Sequence, residues 1–82
     1  MTSTLWDLPA GGSARLTGFS DTLDESYRQR LGELGFTAGV RVHCVNRPAL
    51  GAPRLYRVHA SAFSLEDTIA RHMLVDTLDP TA

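Results

Sequence analysis

The stretch TLDESYRQRLGELGFTAGVRVHCV, Thr22 to Val45, changes its period halfway, and the change sets the organisation of the chain. Up to Leu34 the apolar residues Leu23, Tyr27, Leu31 and Leu34 step by four, four and three, the spacing of one helix face. From Val40 the apolar set Val40, Val42 and Cys44 steps by two, as on one face of a strand. A helix over 22–34 is therefore expected. Thr22 and Glu25 have the spacing of a capping box, which satisfies two orphan N–H groups reciprocally. Gly35 stands where a left-handed residue ends a helix, and Gly39 where a tight turn leads into the strand. Leu31, Leu34, Val42, Val58 and Val75 are the expected core.

Working outward, Leu5, Trp6 and Leu8 form a short apolar lead-in ahead of Gly11-Gly12, where the chain turns. Residues 13–19 alternate, with Ala14, Leu16 and Gly18 on one side, and predict a first strand in which Gly18 marks a bulge. Residues 39–47 and 54–60 read as the next two strands, joined by a loop that Pro48 and Pro53 bracket. If Val40, Val42 and Cys44 share a face with Ala60, Val58 and Tyr56, then Val42 pairs with Val58. Arg41, His43, Arg57 and His59 then share the other face. Residues 62–65 read as a fourth strand, 66–71 as about one helical turn, and 73–78 as the last strand, ahead of a frayed tail over 79–82. This predicts a mainly β chain: a small, bent barrel of about five antiparallel strands with one inserted helix and a short helical turn before the last strand.

The run Arg30 to Val42 resembles the R-L-x-x-L-G-[LMF]-x-x-G-x-x-V signature of the FeoA family, small cytosolic accessory proteins of bacterial ferrous iron uptake. Three more matches lie in register with it. Leu5, Leu8, Gly11, Ala14 and Leu16 resemble the family's opening; Pro48, Gly51 and Pro53 its proline loop; Leu65, Ala70, Met73 and Val75 its closing pattern. The resemblance runs from Leu5 to Val75 and implies an SH3-like barrel. It also implies a partner, the cytoplasmic GTP-binding part of the FeoB transporter. Ala52, Ser61 and Glu66 depart from the family pattern, at positions where Asp, Gly and Arg are common. The module also resembles the C-terminal domain of metal-dependent repressors of the diphtheria-toxin-repressor type, so the alternative role is a metal-responsive regulatory or nucleic-acid-associated SH3-like module.

With 82 residues the chain reads as one domain with a modest core. A net charge of −1 argues against a binder that relies on neutralising phosphates, and nucleic acid is not an expected partner. One cysteine, on the apolar side of a strand, reads as a core residue in a reducing compartment. The sequence shows no signal peptide and no apolar run long enough to span a bilayer. The expected location is the cytoplasm, without membrane insertion.

No catalytic constellation is legible. Cys44 is predicted to point inward, the serines have no motif around them, and the glycines meet no lysine that a phosphate loop would need. Nor is a dedicated metal site expected, since no C-x-x-C or H-x-x-x-H occurs. His43 with His59, and His72 with Glu66, Asp67 or Asp76, are the surface candidates for adventitious Zn²⁺ or Ni²⁺, and no cofactor is expected. The remaining candidate is a binding surface. Leu50 stands at the tip of the proline-bracketed loop, with Arg47, Arg54 and Arg57 around it as groups suited to carboxylates. A second copy of the chain is left open as a partner of the same surface.

Overall fold

The computed structural model describes residues 2–78. Its elements are β1 (Thr2–Thr4), a 3-10 turn (Leu5–Asp7), β2 (Ser13–Phe19), α1 (Glu25–Leu34), β3 (Arg41–Asn46), β4 (Arg54–Val58), β5 (Ser61–Leu65), α2 (Asp67–Ala70) and β6 (Met73–Leu78). The fold is mainly β, with six antiparallel strands in one sheet of order β1-β6-β2-β3-β4-β5. The sixth strand, β1, lies just ahead of the apolar lead-in and was not read from sequence. It is only three residues long and pairs Ser3 with Val75.

Alternation decides which side chains enter the core. Ala14 and Leu16 on β2, Val42 and Cys44 on β3, Tyr56 and Val58 on β4, and Met73 and Val75 on β6 are all buried. Leu5, Trp6 and Leu8 of the lead-in join them. The register pairs Val42 with Val58 as expected, and β2 shifts register against β6 between Leu16 and Gly18, where the bulge was read. A second irregularity, between Cys44 and Asn46 on β3, carried no glycine to announce it. Strands β3 and β4 are shorter than the ranges 39–47 and 54–60. Residues 59–60 are taken by the tight turn of the β4–β5 hairpin, in which Val58 faces Ser61.

The helix departs from expectation at both ends. It starts at Glu25 after Asp24, and the expected capping box at Thr22 does not form. The Thr22 hydroxyl instead bonds the Ser20 hydroxyl at 2.9 Å and His72 Nδ1 at 3.2 Å. A turn closed by Leu23 N–H on Ser20 C=O drives Leu23 into the core before the helix begins. At the other end Gly35 has φ 113°, the left-handed conformation expected of it. Gly35 N–H donates to Gly32 C=O and Phe36 N–H to Leu31 C=O, the paired bonds of a Schellman cap. That cap swings Phe36 into the core, fully buried beside Leu31, and leaves Leu34 39% exposed, so Leu34 is not the core residue its spacing predicted. Tyr27 is likewise outside, at 48%. The helix buries a narrower stripe than its apolar spacing implies.

Candidate functional site

Two surfaces carry the polar and apolar groups singled out in the sequence. The first is the loop between β3 and β4. Leu50 at its tip is fully exposed and holds a positive φ of 65°, followed by Gly51 at 72°. Left-handed backbone at a leucine is uncommon and costs energy. The loop turns there, with Ala52 N–H reaching Ala49 C=O at 3.4 Å. Arg47 is exposed on the approach to the loop.

Arg54 does not share that surface. It is 9% exposed, donates from Nη1 to the Trp6 carbonyl, and stacks its guanidinium over the Trp6 ring at 3.4 Å from the centroid. Arg71, which also pairs with Asp67 at 3.6 Å, approaches the same ring at 5.6 Å. The inward course of Arg54 follows from strand parity, since Arg54 shares its face of β4 with Tyr56 and Val58. That signal was present in the sequence. Below Arg54, the Tyr56 hydroxyl donates to the Leu5 carbonyl at 3.0 Å, and burial pushes the Tyr56 pKa up. Burial also raises Cys44, against the opposing pull of Arg47 and Arg54. Both groups therefore stay neutral and structural, and Cys44 makes no reactive centre.

The second surface is the outer face of β3 and β4, where Arg57 belongs rather than beside Leu50. Val40, Arg41, His43, Arg57 and His59 line one groove of 440 Å³. The four polar residues are those the sequence placed on the face opposite the core. His43 is fixed by a 3.0 Å bond between its Nδ1 and the Ser13 hydroxyl. His59 takes the first central position of the β4–β5 turn with φ 54°, a conformation usually left to glycine there. Its ring packs on the end of α1, and a Cβ built on Gly35 would stand 3.1 Å from His59 Cδ2. Nothing in the spacing of Gly35 and His59 announces that contact.

The histidine candidates are thus divided. His43 and His59 share the groove, while His72 is bonded to Thr22, and Asp76 lies on β6 opposite Arg15 in the register. Among the described residues no three His, Cys, Asp or Glu side chains converge as a metal-holding group. In the groove two guanidiniums share the space with the two imidazoles, and their charge opposes a divalent cation. No helix among the described residues is long and apolar enough to cross a membrane.

A family model described as the FeoA domain matches residues 3–77. No curated protein matches the chain. Among solved structures, FeoA of Stenotrophomonas maltophilia in complex with zinc is 33% identical, covering 89% of this chain and 88% of that one, with a TM-score of 0.79. That protein is described as a prokaryotic SH3 domain protein and a candidate activating factor of bacterial ferrous iron transport. FeoA of Chlorobium tepidum is 24% identical, over 93% of this chain and 70% of that one, with a TM-score of 0.84. A manganese-dependent transcriptional repressor is similar over 94% of this chain but 42% of its own, at 17% identity and a TM-score of 0.83. At that identity the likeness is one of fold. The match across nearly the whole described chain, with the SH3-like sheet and the glycine-capped helix in place, makes this chain a member of the FeoA family.

Proposed function

We propose that this chain is a cytoplasmic accessory factor of ferrous iron uptake, acting by contact with the cytoplasmic GTP-binding part of an FeoB-type membrane transporter. The observation that carries the reading is the FeoA match over residues 3–77. It is supported by the 33% identical relative described as a candidate transport-activating factor. A factor that works by contact needs an exposed anchor on a stable scaffold, and Leu50 has that form: apolar, fully exposed, and held at the tip of a loop that two prolines stiffen. Arg47, exposed on the approach to the loop, is the arginine left to serve as its polar rim. On this reading the chain performs no chemistry and holds no resident cofactor. Zinc or nickel at surface histidines is incidental to the role.

Capture of the purified cytoplasmic domain of the transporter on immobilised protein, with guanine nucleotide present and absent, tests the reading. Retention in at least one nucleotide state is expected. Failure in both states removes it, and self-association through the Leu50 loop, read by sedimentation, then takes its place.

A further inference from the structure

Three arginines lie close together on the outer face of β2, β3 and β4. The register pairs Arg15 directly with Arg41, and Ser13 with His43, which in turn pairs with Arg57. Like charges placed directly opposite each other on neighbouring strands are destabilising. A sheet face that needed only to be soluble would be better served by a mixture of signs. Arg15 is partly quenched by donating from Nη1 to the Gly39 carbonyl at 3.0 Å. Asp76 faces Arg15 from β6 but makes no ion pair with it; the ion pair found among the described residues is Arg71 with Asp67. Arg41 and Arg57 are exposed and have neither a hydrogen-bond nor an ion-pair partner among the described residues. Both line the groove with Val40, His43 and His59, and among the described residues no carboxylate lines it with them.

The groove is also braced. His43 is held by Ser13, and His59 is kept in a left-handed conformation against Gly35 at the C-terminal end of α1. Non-glycine backbone in that region persists where surrounding packing over-determines it, and such positions cluster at binding sites. Together the Ser13-bonded imidazole of His43 and the free guanidiniums of Arg41 and Arg57 form a polar, cationic lining beside one apolar residue, Val40.

We infer that this groove binds an acidic polypeptide segment in extended conformation, with Arg41 and Arg57 each taking one carboxylate. Three features select that ligand. Arg41 and Arg57 occupy diagonal positions of a strand pair, about 7–8 Å apart, which matches alternate residues of an extended chain at about 6–7 Å. A single small oxyanion would need its donors to converge, and the backbone N–H groups that cradle phosphates elsewhere are engaged here in the strand ladder. Nucleic acid would call for a wider basic field and for aromatic stacking surfaces. This chain has a net charge of −1, and the groove holds no Phe, Tyr or Trp. Arginine forks suit carboxylates bidentately, which gives the groove direction as well as attraction. The inference does not rest on the transporter reading, because it concerns a different face from the Leu50 loop.

The test uses a fluorescein-labelled peptide of alternating glutamate and threonine, with a glutamine-for-glutamate version as control, followed by fluorescence anisotropy at low salt. Amide shift mapping of the wild-type protein accompanies it. Expected are saturable binding of the acidic peptide, none of the control, and the largest shifts at Val40, Arg41, His43, Arg57 and His59. The double variant Arg41→Gln, Arg57→Gln should weaken binding roughly tenfold or more, while Leu50→Asp leaves it unchanged. Should the double variant fail to fold, the wild-type shift map alone decides. Shifts elsewhere, binding of the control, an equal affinity for oligothymidylate or inorganic phosphate, or no saturable binding would each overturn the inference.

Discussion

The guanidinium of Arg54 lies 3.4 Å from the centre of the Trp6 ring, inside the protein, and bonds the carbonyl of the same tryptophan. A cation so placed takes its ring contact and its carbonyl partner from one neighbour, and its Nε has no partner among the described residues. Trp6→Ala should therefore cost about 3–5 kcal/mol or more, since it combines the loss of a large buried ring with a stranded charge. Arg54→Met, which removes the charge and keeps the volume, should cost much less. Urea denaturation of the two variants checks the ordering, and a larger loss for Arg54→Met would refute it.

Gly35 meets two demands, a φ of 113° and room for the His59 ring. Gly35→Ala should destabilise the domain by more than about 1 kcal/mol. Part of that loss comes from the clash and should vanish in the His59→Ala background, giving a coupling of about 0.5 kcal/mol or more in a double-mutant cycle. Full additivity would mean that the backbone strain acts alone.

Leu50 and Leu31 differ in environment, one fully exposed at a loop tip and one 5% exposed on the buried face of α1. Leu31→Ala should cost about 2–5 kcal/mol, whereas Leu50→Asp should change stability by about 0.5 kcal/mol or less. Leu50→Asp should nevertheless abolish capture of the transporter's cytoplasmic domain. Unchanged capture would move the contact to another face.

Burial raises the pKa of Cys44 above its ordinary 9.0 and that of Tyr56 above its ordinary 10.0. Both groups are neutral when protonated, so the folded state binds protons more tightly than the unfolded chain. Stability is then intact below about pH 9 and falls as pH rises beyond it, because the unfolded thiol and phenol ionise first. Melting temperatures between pH 7 and 11 should show the decline, and Cys44→Ala should delay its onset. A flat profile to pH 11 would contradict the burial of both groups.

What the sequence revealed is what short-range periodicity carries. The helix-to-strand switch, the left-handed Gly35, the bulge near Gly18 and the Val42–Val58 pairing all follow from spacings within one or two elements. Contacts between residues distant in sequence were not legible. Thr22 has the spacing of a cap, but its hydroxyl is bonded to His72, fifty residues on. Leu34 has helical spacing, yet the turn at Gly35 hands its place in the core to Phe36. The site shows the same division. The basic face came from strand alternation alone, while the stacking of Arg54 on Trp6 joins segments 48 residues apart. Parity alone would have shown Arg54 pointing inward and removed it from the Leu50 surface.

The strand order has a consequence for how the chain is made. Strand β6, formed by residues 73–78, lies between β1 and β2, the first two strands in sequence. Until those residues have left the ribosome, β1 has no neighbour and one edge of β2 is bare. Long-range pairing of this kind slows folding and leaves open edges available to other chains in the meantime. A nascent chain stopped after Ala70 would carry an incomplete sheet, since β6 is the strand that pairs with both β1 and β2.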